Sequence, residues 1–313
     1  MGGEPNNWGR FGPEDQRGTL NLLTGDVVLA ALAAARTGQV LSLSMPIRGA
    51  TSSPAPGTVP HLKGRPLPQH FMSVDGGDYA AGARPIGAGL RVADDALIVT
   101  HHGTTTHMDA LCHMWTGDEL YNGHPAARVR SYGATRCGIE HVGGVVARGV
   151  LFDVPRHLGL GHLPAGFRVT AELLAEIAGP GEGGEARIAG LRAGDVAVIR
   201  TGWPAVWERS REEYWSGQPG LSADAGRWLA AHDVSVVAGD NAAIGGLNAR
   251  QLADETLDDD LHLILLHRHG IHLVEMLWLE ELAATGRTEF VFVAAPLRIE
   301  GGTGSPINPL AVL

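Results

Sequence analysis

Between Thr100 and Trp115 the chain carries four histidines, His101, His102, His107 and His113, and one carboxylate, Asp109. Imidazole and carboxylate are donors for divalent metals. An imidazole, titrating near neutrality, is also the common proton carrier. The apolar run Ala96–Val99 just upstream reads as a buried strand. Polar side chains leaving a buried strand are costly unless something binds them. In an extended chain Gly103, Thr105, His107, Asp109, Leu111 and His113 share one face. That spacing offers two ligands to one metal ion with a proton carrier close by. Histidines satisfied by backbone groups at a strand end are the plainer alternative.

A second cluster runs from Asp258 to Glu281. Read as a helix over Leu257–His269 ended by Gly270, it puts His262 and His269, seven apart, on one face. Glu275, on the extended segment Ile271–Glu275, can fold back toward that face. A carboxylate among apolar neighbours must be paired or metal-bound, and Arg268 is the other available partner. His267 and His272 read as surface residues or as supports for the site. Two further chemistries are weaker on the residues. Ser305 sits in the glycine loop Gly301–Pro306 without the strand-turn-helix that exposes a nucleophilic serine, so backbone support near a site is the better reading. Cys112, a possible thiolate beside His113, points away from His107 and Asp109 on extended parity.

The elements that must position these residues follow from pattern. Thr24 caps an Ala-rich helix over Val27–Arg36, and Val40–Ser44 alternates as a strand. Helices are predicted over Val169–Ala178, Ser222–His232 (Ser222 as cap) and Leu279–Thr285. Buried strands are predicted over Arg148–Val154, Asp195–Gly202, Val234–Asp240 and Glu289–Ala294. This alternation predicts an α/β fold in one domain over residues 1–313, with Gly181–Gly184 as a surface turn. Residues 8–23 read as a loop packed by Trp8 and Phe11. The Pro- and Gly-rich segment from Arg48 to Gly89 has no period and reads as a lid or an oligomer arm, or else as disorder.

Composition closes off other classes. A hydrophobic share of 44% is that of a globular chain, and a net charge of −10 argues against nucleic-acid binding. No apolar run is long enough to span a bilayer and no secretory signal is visible, so no membrane partner is expected. Two cysteines, Cys112 and Cys137, make no disulfide framework, which suits a reducing cytoplasm.

These residues resemble the cyclase family of metal-dependent hydrolases, which includes bacterial kynurenine formamidase (arylformamidase) and isatin hydrolase. The family signature is His-x-Gly-Thr-His-x-Asp-x-Pro-x-His. His107, Asp109 and His113 match its second half, with Leu111 in place of the proline. Arg10 to Asn21, Ile199 to Trp203, Ala238 to Asn241 and Ala295 to Pro306 also look like the longer branch of that family. The resemblance implies a swivelling β/β/α fold, a homodimer or homotetramer, and one or two Zn2+ or Mn2+ ions. It implies His107, Asp109, His262 and Glu275 as metal ligands and His113 as the catalytic acid/base. The family's first histidine falls on Gly103 here. A one-residue bulge at His102–Gly103 would let His102 serve as the missing ligand, with His101 as the fallback.

The expected chemistry is hydrolysis of a small amide, lactam, lactone or ester. A metal lowers the pKa of its water from about 16 toward roughly 7, and the hydroxide attacks the carbonyl while His113 moves the proton. A metal-dependent cyclase or lyase on a small carbonyl substrate would need the same constellation, and a non-catalytic metal-binding protein would need most of it. Trp8, Phe11 and Trp115 are candidate contacts to a flat small-molecule substrate, and Trp203 is another aromatic available for that role.

Overall fold

Val145–Asp153, Val196–Arg200, Val236–Gly239 and His272–Glu275 are valine-containing runs, the first three mainly apolar, buried along almost their whole length. Strands without polar alternation belong in a parallel sheet covered on both faces, and these four lie side by side and parallel in that order. The computed structural model describes residues 5–47, 64–179, 190–246 and 259–313. Antiparallel strands extend the parallel block at both ends. The full order is Val40–Ser42, Leu310–Val312, Glu289–Ala294, Val145–Asp153, Val196–Arg200, Val236–Gly239, His272–Glu275, His107–Asp109 and Gly304–Pro306. The fold is mixed α/β, as the sequence pattern predicts. Two buried arginines tie neighbouring strands, Arg148 to Asp195 and Glu289, and Arg200 to Asp153 and Glu280. Charges at that depth persist only when paired.

The helices start where their caps stand. Thr24 accepts from the Val27 amide and Thr170 from the Leu173 amide, opening Gly25–Leu32 and Ala171–Ala178. The first ends before the expected Arg36, because Ala33 and Ala34 bond three residues back and tighten the last turn. Ala223–Ala231 follows Ser222, whose hydroxyl bonds Val169 O instead of capping. Pro204–Arg209 and Arg211–Ser216 went unpredicted although Pro204 and the capping Ser210 are ordinary start signals.

Three expectations change. The run Ala96–Val99 is no buried strand: Asp94–Ile98 pairs with Gln69–Val74 in a separate two-stranded sheet. Leu97 and Ile98 are 52% and 48% exposed there, since no core among the described residues covers them. The segment from Arg48 to Gly89 is not uniformly irregular in its described part, where Gln69–Val74 is a strand and Gly76–Ala80 a helix opened by an Asp75–Asp78 capping box. Its first part, 48–63, lies outside the described residues, as do Gly181–Gly184 and the start of the predicted helix at Leu257. The described remainder of that helix, 261–269, is π-helical over Leu263–Arg268. His262 and His269 therefore do not share a face: His269 Nδ1 bonds Ile264 O.

Candidate metal centre

The short strand His107–Asp109 lies between His272–Glu275 and Gly304–Pro306, and register sets what meets it. His107 stands directly opposite Glu275, and Asp109 opposite Gly304, and directly opposed residues bring side chains on one face into contact. His107 Nε2 lies 3.6 Å from Glu275 Oε2 and 3.7 Å from Asp109 Oδ1. The other ring nitrogen, Nδ1, is 2.9 Å from Thr105 O, which aims Nε2 at the carboxylates. His262 arrives from the helical segment whose first amides, those of His262 and Leu263, donate to Asp260 Oδ1. Its Nε2 is 3.4 Å from Glu275 Oε1 and 4.0 Å from Asp109 Oδ2.

His102 and His113 complete the cluster, 3.7 and 3.9 Å from Asp109 Oδ1. Neither gets there by strand parity. His102 enters through a 3-10 turn, His102–Thr104, rather than the expected bulge. His113 follows a turn closed by its own amide on Ala110 O. His101 is exposed and outside the cavity. Gly304 makes room for His102: a Cβ there would stand 2.6 Å from His102 Nε2 and 2.8 Å from Met108 O.

Two donor sets overlap, His102 with Asp109 and His113, and His107 with Asp109 and Glu275, and within each the donor atoms lie within 4.8 Å of one another. Asp109 belongs to both. Its two carboxylate oxygens are buried and receive no hydrogen bond from any described residue. Burial, and next the Glu275 charge, hold its pKa well above the ordinary carboxylate range. A buried carboxylate with no donor is what a cation relieves, so the residues fit a metal. Burial pulls His262 down, but the hydrogen bond and charge of Glu275, with Asp109 and Asp260, more than reverse this, to about 9. Burial lowers His113 to about 3, helped by the neighbouring histidines His262, His102 and His107.

Glu275 is held by backbone in an uncommon conformation. Ala243 (φ 56°) donates its N–H to Glu275 Oε2 at 2.8 Å, and Met276 (φ 59°) follows Glu275 directly. Left-handed backbone at non-glycine residues is costly and clusters at functional sites.

The donors open into a cavity of about 390 Å3 that Arg65, Arg168 and Leu221 also line. None of Trp8, Phe11 and Trp115 lines it. Trp8 donates its indole N–H to His267 O at 2.8 Å, Phe11 lies under the Arg10 guanidinium, and Trp115 sits 37% exposed. Trp203 is buried against Tyr214. His267 and His272 are buried, not surface residues. Burial also raises the Cys112 thiol to about 12, so no thiolate forms there. The Ser305 hydroxyl is taken up by Leu297 N and Pro306 O, which leaves it a structural role. The residues that sequence reasoning missed are Arg65, Arg168, Ala243 and Gly304. Gly304 carried a signal as part of the glycine loop assigned to backbone support, and Arg65 only its place in the segment read as a lid or an oligomer arm.

A mixed sheet with a histidine–carboxylate cluster shared between its strands and a helix defines an α/β protein with a candidate metal centre. The chain belongs to the Cyclase family, whose model matches residues 41–245. It is similar to a crystal structure of a novel cyclase, at 35% identity and a TM-score of 0.83 over 99% of this chain and 100% of that one. It shares its fold with isatin hydrolase A from Labrenzia aggregata bound to benzyl benzoate, at 19% identity and a TM-score of 0.59 over 91% of this chain and 97% of that one. A protein described as a predicted metal-dependent hydrolase from Bacillus stearothermophilus has the fold at 20% identity and a TM-score of 0.51, over 87% and 97%. No curated protein matches the chain.

Proposed function

We propose that this protein is a metal-dependent hydrolase of small amides, lactams, lactones or esters, arylformamidase-like in acting on C–N bonds outside peptides. The observation that carries the reading is Asp109, a buried carboxylate without a hydrogen bond, shared by two donor sets in one cavity. His102, His107, Asp109, His262 and Glu275 would hold Zn2+ or Mn2+. The ion would supply Lewis acidity toward a carbonyl oxygen and acidify a water. His113, neutral at neutral pH, is the base that takes a proton from the attacking water and returns it to the leaving nitrogen or oxygen. Leu221 and Ala243 supply apolar wall around these groups. The names of two relatives, isatin hydrolase and metal-dependent hydrolase, support this chemistry.

The test is metal analysis of purified protein followed by assays on N-formyl aromatic amines, isatin and simple lactones. Turnover is expected on at least one class, lost on chelation and restored by Zn2+ or Mn2+. A protein that binds metal and turns over none of them is a metal-binding protein and no hydrolase.

We also propose a homodimer or homotetramer. Among the described residues the hairpin Gln69–Ile98 pairs with no strand of the main sheet, and a lone two-stranded hairpin is marginal in water. Phe71, Met72, Leu97 and Ile98 are each 45–52% exposed on it. A second copy of the chain would cover them.

A further inference from the structure

Arg65 lines the cavity that holds the donor cluster, half-buried on its wall. It makes no ion pair or hydrogen bond with any described residue, and its charge acts on Asp109 across the cavity. The other charged groups of the wall are engaged. Asp260 receives the amides of His262 and Leu263, and Asp259 stands 3.8 Å from Arg227. Arg168 donates to the carbonyls of Leu221 and Gly245. Asp109 and Glu275 together carry the two negative charges that match a divalent cation, so the cluster itself leaves nothing over for the guanidinium. Holding a half-buried cation beside a cation site costs desolvation and repulsion. An incoming anion relieves both, and a guanidinium matches a carboxylate with two parallel hydrogen bonds.

Resting on the hydrolase reading above, we propose that the substrate is a small carboxylic acid whose carboxylate Arg65 binds while its scissile carbonyl faces Asp109 and His113. The cavity is near the lower end of the roughly 300–1,000 Å3 usual for ligand sites, which suits a single-ring acid. Arg65 is then a specificity residue, and it acts by selecting the acid over its neutral analogue.

The experiment compares formanilide with 2-, 3- and 4-formamidobenzoate on the metal-loaded wild type, Arg65→Ala and Arg65→Lys. Binding of benzoate and of benzamide is measured on the same proteins by calorimetry. The wild type is expected to favour at least one formamidobenzoate over formanilide by about tenfold or more in kcat/KM, the scale of one charged hydrogen-bonded contact. Arg65→Ala should lose at least about ten times more on that acid than on formanilide, mainly through KM, and Arg65→Lys should recover part of the loss. Benzoate binding should weaken by a similar factor in Arg65→Ala, with benzamide affected less. Equal losses on acid and neutral probes, or no preference in the wild type, overturn the proposal. If no probe is turned over, the hydrolase reading fails. Calorimetry then decides the anion role alone, and benzoate binding that is absent or indifferent to Arg65→Ala overturns it.

Discussion

His113 has the most exposed ring of the cluster, its side chain 32% accessible against 3% for His107 and 10% for His262. Burial lowers its pKa to about 3, so the ring is neutral across the physiological range, and exposure into the cavity lets it meet substrate. A buried ligand needs neither property. His113→Ala should therefore keep its full metal content, by elemental analysis, and lose about 10²–10⁴-fold in kcat, the usual contribution of a positioned acid/base. Loss of one metal equivalent would make His113 a ligand alongside His102 and Asp109, which its geometry allows. At this scale the sequence was informative in kind and uneven in geometry. Residue type and the two-residue spacing of His107 and Asp109 were enough for that pair, because they do lie on a strand. The same parity rule applied to His113 described the wrong path, since the chain turns after Asp109. Arg65 had only a coarse signal, its place in the Pro- and Gly-rich segment read as a lid or an oligomer arm, and that reading singles out no residue to reach the cavity.

At the scale of elements, legibility followed burial. Three of the four central strands, Val145–Asp153, Val196–Arg200 and Val236–Gly239, declared themselves because their apolar runs have one environment that suits them, while the fourth, His272–Glu275, read only as extended. Glu289–Ala294 was predicted to the residue for the same reason. Asp94–Ile98 shows the converse, an apolar run that the core of the described residues does not cover. Hydrophobicity records that a surface must be hidden, and says nothing of whether the same molecule hides it. The π-helical stretch Leu263–Arg268 was likewise invisible, because its residues are those of an ordinary buried helix and the shift appears only in which carbonyl each amide finds. The hairpin gives a direct test. Phe71 and Ile98 share one of its faces, and His70 and Leu97 the other, by the pairing of Phe71 with Ala96 and of His70 with Leu97. Phe71→Asp combined with Leu97→Asp puts a charge on each face. If a second copy covers the hairpin, light scattering should show a smaller species at micromolar concentration, with the circular dichroism of the main sheet retained. An unchanged molar mass would remove the hairpin from the interface.

For the whole molecule, the centre joins positions far apart in the chain, 102–113, 262 and 275, through the far end of the nine-stranded sheet. The unfolded chain cannot offer these donors together, so metal binding free energy is folding free energy. A metal held at about 1,000 times its dissociation constant adds about 4 kcal/mol. For a chain of this size that corresponds to a Tm higher by roughly 6 °C, to be lost on chelation and regained on adding Zn2+ or Mn2+. The pH dependence follows from His262. Without metal its folded pKa of about 9 exceeds the ordinary value of 6.5, so its pairing with Glu275 and Asp109 stabilises the metal-free protein fully below pH 6.5. That contribution is lost as pH rises through 9. A metal ligand must be neutral, so uptake at pH 7 expels this proton, and His262 alone should make the metal affinity rise about tenfold per pH unit up to about pH 9. Calorimetry in buffers of different ionisation enthalpy should count about one proton released from it at pH 7 and none above pH 10. The gap in Tm between loaded and chelated protein should widen from pH 6.5 to 9 as the metal-free state loses its ion pair and the loaded state gains affinity. A metal affinity that is flat between pH 6 and 8 would take His262 out of the ligand set.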